Sequence, residues 1–254
     1  MHPGLAAAVA QLRMTRRNIE DLFPILTIPL SSAVALAILQ HSGRSDLAGY
    51  ALVAAVLMSV GQMALFIGSE ILANERQGQT LELVVASPTS YYLPLLARIW
   101  ILTVIGMAGF VEAWAIARWV FGIEVHLHHP WVGLATLLVT SGAAAVTALI
   151  ASVVFCFGKT TRTYQNALAG PLYLLSGVLV PITFLPEAVQ PISRAIFFSW
   201  SAGLLRDALQ PAPPENVGLR LGAVVALGFA GGAIGAVLFG RLLGHLRREG
   251  TLGL

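Results

Sequence analysis

Charge is what this sequence has least of. Asp, Glu, Lys and Arg make up 11% of its 254 residues, and lysine occurs only at Lys159. Soluble domains carry about a quarter charged residues, so a water-exposed globule of ordinary design is excluded. Cysteine is equally sparse. Cys156 stands alone in an apolar run, and no disulfide can close within the chain. A phosphate-binding loop is also missing. Gly158-Lys159-Thr160 resembles the tail of one, but the first glycine of that motif would fall at Val153, inside an apolar span rather than after a strand. The chain is therefore expected to bind no ATP or other cofactor itself. No His-Glu-x-x-His or other hydrolytic signature occurs, so an integral-membrane enzyme has no catalytic constellation to rest on.

What is abundant is apolar length. Hydrophobic residues make up 57% of the chain, and the mean hydropathy is +0.79. A helical span needs about twenty apolar residues. Six such runs are present, at residues 24–40, 47–73, 94–121, 131–157, 164–182 and 219–241. They leave short loops, so residues 1–254 read as one all-α, multi-pass membrane domain. Arg13, Arg16, Arg17, Arg76, Lys159, Arg162, Arg241, Arg247 and Arg248 all fall on one side of these crossings. The bias of Lys and Arg toward the cytoplasm puts both termini and the 74–82 stretch there. The N-terminus is not a cleavable signal peptide, because its basic residues follow an Ala-rich stretch instead of preceding an apolar core.

Between the runs, three segments carry pattern. Leu5, Val9, Leu12, Ile19 and Phe23 form an apolar stripe with Arg13 and Arg17 off it, which predicts an amphipathic helix in the membrane interface. Residues 183–218 are broken by prolines yet rich in apolar side chains, Trp200 among them. They predict one or two short re-entrant or interfacial helices on the outer side. His126, His128 and His129 beside Glu124 read as an exposed polar turn more readily than as a metal site. Within the spans, Glu112 is the unusual charge. An ionisable group about ten residues, or ~15 Å, from the span's outer end needs a partner or water. It is a candidate for a transport path or for a structural bond to a neighbouring helix. Gln165 and Asn166 at the inner end of the fifth span join it as path candidates.

The densest polar stretch is Asn74-Glu75-Arg76-Gln77-Gly78-Gln79-Thr80-Leu81-Glu82. On a helix Glu75, Gln79 and Glu82 share one face, and Leu81, Val84 and Val85 lie on another. Ser87-Pro88 then ends the helix. This predicts a short helix lying under the membrane, its acidic face turned away from it. Glu75-Arg76-Gln77-Gly78-Gln79-Thr80-Leu81-Glu82-Leu83, continuing to Ser87-Pro88, resembles the Glu-Arg-x-x-Gly-Thr-Leu-Glu…Ser-Pro signature of type-2 (ABC-2) exporter permeases, with one extra residue, Gln79. Relatives commonly carry Asn-Pro midway through the outer segment, where this chain has Phe198-Ser199-Trp200-Ser201. The resemblance implies one half of a homo- or heteromeric membrane dimer in a bacterial cytoplasmic membrane. It also implies docking on a separate ATPase, which would bind ATP and Mg, through the helix between spans two and three and the N-terminal helix with Arg13, Arg16 and Arg17. The cargo implied is a drug-like or lipid-like amphiphile, with a lipid-linked glycan as the alternative. An ion-coupled carrier working alone would predict internal repeats, and no convincing one is seen. Nothing in the sequence suggests a nucleic-acid partner.

Overall fold

The computed structural model describes residues 3–17, 23–44, 47–78, 91–157 and 161–249. Gln79, Thr80, Leu81, Glu82, Ser87 and Pro88 lie outside them, as do the side chains of Arg16, Arg17 and Asn166. Among the described residues there is no strand. The helices run α1 (Pro3–Arg17), α2 (Phe23–His41), α3 (Ala48–Gln77), α4 (Tyr92–Trp119), α5 (Pro130–Phe157), α6 (Thr161–Leu175), α7 (Gln190–Arg194), α8 (Phe197–Ala208) and α9 (Val217–Glu249).

Among the described residues, α3, α4, α5 and α9 are long and apolar enough to cross a membrane, with spans of 27 to 30 residues. At 1.5 Å per residue each exceeds a hydrocarbon layer of about 30 Å. The first and fifth expected spans correspond to α2, with 19 residues, and α6, with 15. α6 stops at Leu175, short of residue 182. Its exit is a left-handed turn at Gly177 (φ 70°), whose N–H bonds Leu174 O at 3.1 Å while that of Val178 bonds Tyr173 O at 3.2 Å. Glycine meets this geometry without strain.

α3 is the axis of the bundle. In its most apolar window 78% of residues are buried, against 56% in α5, 33% in α4 and 22% in α9. Midway it opens into a π-helical stretch, Gln62–Gly68. Such a stretch disturbs the regular i→i−4 ladder, and side chains bond the carbonyls around it. Ser69 Oγ donates to Leu65 O at 2.6 Å and to Phe66 O at 2.9 Å. From α6, the buried Tyr173 donates its hydroxyl to Met58 O at 3.3 Å, and Gln165 Nε2 makes a longer bond of 3.4 Å to Phe66 O. Gly61 makes room for this, since a Cβ there would lie 2.5 Å from Tyr173 Oη.

On the other flank α9 lies along α5. Gly228, Gly231, Gly232 and Gly235 recur at helical spacing against Ala143, Thr147, Val146 and Leu149. Small residues let membrane helices approach closely enough for dispersion to hold them. A Cβ at Gly228 would fall 2.6 Å from Ala143 Cβ, whereas at Gly240 it would meet nothing within 4 Å. Gly228→Val is therefore expected to lower stability by about 1–3 kcal/mol through overpacking, with Gly240→Ala neutral. Thermal unfolding of the purified variants in detergent checks this, and equal melting temperatures would refute the seam.

Candidate functional site

The stretch that reads as a loop from residue 74 onward begins as helix. Asn74, Glu75, Arg76 and Gln77 form the last turn of α3, and Gly78 closes it with an N–H bond to Asn74 O at 2.8 Å. The charges do not end the helix sooner because both are satisfied sideways. Glu75 does not turn away from the bundle as its place on a predicted acidic face would require. It is half-buried, and its side chain points to α4.

There Glu75 meets Tyr91 and Arg98. Tyr91 donates its hydroxyl to both Glu75 oxygens, at 2.6 and 2.7 Å. Arg98 Nη1 bonds Glu75 Oε1 and also reaches Tyr91 Oη at 2.9 Å. Arg98 Nε donates to Gln11 Oε1 at 2.9 Å, and the buried Gln11 donates in turn to Thr15 Oγ1 at 3.3 Å. One guanidinium thus joins α1, α3 and α4. Burial pushes the Tyr91 phenol up, Arg98 draws it down, and Glu75 raises it again, so it stays a proton donor. Beside this network Arg76 Nη1 bonds Cys156 O near the end of α5. These contacts collect α1, the end of α3, the start of α4 and the end of α5 at one end of the bundle, which we call the junction.

α1 buries Gln11 and Thr15, while Leu12 of its apolar stripe does not face the bundle. Leu12 and Met14 stay exposed, as does Arg13. Among the described candidates, Gln165 and Glu112 are not drawn into the junction. Gln165 is spent on Phe66 O. Glu112 sits in the second half of α4, which packs on α2 and α3, and its Oε2 is buried with no hydrogen bond. The structural bond to a neighbouring helix is therefore not formed at that oxygen. One turn earlier Gly109 abuts Ser59, whose Oγ is likewise buried and unbonded.

At the opposite end, His128 Nδ1 lies 3.0 Å from Leu209 O and His129 Nε2 lies 3.1 Å from Ala212 O. A carbonyl accepts only, so each ring nitrogen donates. These histidines bind the 120–130 loop to the end of α8. Glu124 pairs with Arg118 on the surface, and that cation holds its carboxyl below the usual range.

Arg98, Tyr91 and Gln11 are the functional residues that sequence reasoning missed. A signal existed: Arg98 is a charge inside an apolar span, seven residues and two helical turns from Tyr91. If the network is as described, Arg98→Ala and Glu75→Ala each lower stability by about 2–3 kcal/mol. The double variant should lose clearly less than the sum, with a coupling of at least about 1 kcal/mol. Strictly additive losses in thermal or denaturant unfolding would rule the bridge out.

A family model described as "ABC-2 family transporter protein" matches residues 5–237. Nodulation protein J of Rhizobium meliloti (strain 1021) is 33% identical over 96 residues, which cover 37% of this chain and 34% of that protein. The chain thus aligns with about a third of the length of that curated relative.

Proposed function

We propose that this chain, which belongs to the ABC-2 family of transporter proteins, is the permease half of an ATP-driven exporter for a hydrophobic or amphiphilic compound. The four long apolar helices make it a membrane protein, and α2 and α6 complete six crossings in this reading. Both termini and the junction face the cytoplasm, α1 lies in the inner interface with Leu12 and Met14 toward lipid, and α7 and α8 are the broken helices of the outer side. A second permease, identical or related, completes the membrane unit. The energy comes from a separate ATPase that binds ATP and Mg.

The observation that carries this reading is the junction. A push delivered at residues 79–90 reaches α3 through its last turn and α4 through Tyr92, and the Arg98–Glu75 bridge locks the two together with α1. Force applied to that segment would move helices rather than a slack loop. Glu75 is committed inside the protein, so docking falls to residues that follow it in the sequence, Gln79 and Glu82 foremost.

The test is co-purification with the ATPase. Introducing a cation with Gln79→Lys and reversing charge with Glu82→Lys is expected to cut complex yield severalfold while the permease melts at its normal temperature. Glu75→Lys should lower the melting temperature itself, because it sets a second cation against Arg98. Full assembly and ATP-dependent transport by the Gln79→Lys, Glu82→Lys variant would sink the docking assignment.

Glu112 is assigned to the transport path because a buried carboxylate oxygen without a partner serves no structural bond. Glu112→Gln should assemble normally with its ATPase yet export more slowly in reconstituted vesicles. Unchanged export would remove Glu112 from the path.

A further inference from the structure

The end of the bundle opposite the junction holds a cleft of about 280 Å³ between the start of α3, the 120–130 loop and the end of α8. Tyr50, Ile123, Glu124, His126, Arg206 and Gln210 line it. Arg206 is the group without an account. Only 8% of it is exposed. Its Nη2 donates to Gly177 O at 2.7 Å and Val178 O at 2.8 Å, and its Cζ lies 5.0 Å from the centre of the Tyr50 ring. Its Nε is buried with no hydrogen bond.

No carboxylate among the described residues pairs with this cation. Asp207, next in sequence, is bonded to Arg220, and Glu124 across the cleft is bonded to Arg118. Among the described residues its direct compensation is two carbonyl dipoles and an aromatic face, with the Asp207 carboxylate, already paired with Arg220, acting at longer range than an ion pair. A buried cation so placed is costly to leave without an anion, and a guanidinium with donors to spare suits a phosphate oxygen best of all. The volume is that of a headgroup, smaller than the sites that enclose drug-sized molecules. Around the cleft the surface turns apolar, with Trp119 and Trp131 about four-fifths exposed. Tryptophans of that kind sit where headgroups meet acyl chains.

We infer that the Arg206 cleft binds the phosphate headgroup of an amphiphile whose tail lies along the neighbouring apolar surface. The inference rests on the exporter reading only for the membrane face on which the cleft opens. Binding itself needs no ATPase, so the two can fail separately.

The experiment uses the full-length permease alone, purified in detergent. Three probes are titrated: dioctanoyl phosphatidylglycerol, dodecyl phosphate, and dioctanoylglycerol, which has no phosphate. At least one phosphate probe should bind about tenfold or more tightly than dioctanoylglycerol, and Arg206→Gln should remove most of that advantage. Since that variant also strips donors from Gly177 and Val178, the exposed Gln210 supplies a second arm. Gln210→Glu should weaken phosphate binding and Gln210→Lys should strengthen it, with no change in melting temperature. Competition between the two phosphate probes assigns the source, a bilayer lipid if phosphatidylglycerol wins and a single-chain cargo if dodecyl phosphate does. Equal affinity for the phosphate-free probe, or indifference to both Gln210 substitutions, would overturn the site. If these differences hold but no ATPase complex forms, the exporter reading falls and the headgroup site stands.

Discussion

A carboxylate half-buried at the end of a membrane helix must find a cation, and for Glu75 the cation in reach is Arg98. Each solves the other's problem. Arg98 lies six residues inside the helix that begins at Tyr92, where an unpaired charge would disfavour insertion. The bridge also settles geometry, because a guanidinium offers donors in several fixed directions. One goes to α3, one to the Tyr91 hydroxyl and one to α1. The end of α3, the start of α4 and α1 are thus joined through one guanidinium.

The same demand governs the middle of α3. Lipid offers no hydrogen bonds, so a departure from regular helix survives only where protein groups satisfy it. The π stretch at Gln62–Gly68 is enclosed by α4, α5 and the side chains of α6. Two long polar side chains, Gln165 and Tyr173, tie α6 to α3 there. A helix joined to its neighbour by such reaching side chains can shift by re-forming two bonds. The α5–α9 seam behaves differently, because glycine backbone against alanine and leucine leaves no slack to take up.

Much of the architecture was legible because hydropathy reports directly on burial in lipid. Runs of apolar residues place α3, α4, α5 and α9 to within a few positions at most ends. The boundaries that slipped did so for local reasons. α3 continues past residue 73 because Glu75 and Arg76 are bonded by residues sixteen, twenty-three and eighty positions away, and no short window of sequence contains all of those partners. α6 ends early because Gly177 takes a left-handed turn. At the junction, the polar stretch was visible but its inward half was not. A period-based reading puts Glu75, Gln79 and Glu82 on one face as if they shared one environment, whereas tertiary contact has already claimed the first of them. Arg206 escaped notice for a related reason: it reads as an ordinary charge in a segment between spans, and only the turn at Gly177 and Val178 brings two carbonyls to it.

The two ends of the bundle handle charge in opposite ways, and that contrast bears on mechanism. At the junction every described buried charge closes on a partner within the protein, which suits the force-transmitting role proposed for it. At the other end Arg206 is held by two carbonyl dipoles and the Tyr50 ring, while Asp207 and Glu124 are paired with other arginines, so it still has charge to offer. A transporter needs a place that is pushed and a place that binds, and coupling between them requires a rigid link. α3 supplies that link, since Glu75 sits in its last turn and Tyr50, which stacks on Arg206, in its first. Any tilt of α3 at the junction must therefore move the aromatic face beneath Arg206, and with it the grip proposed for that cation on an anion.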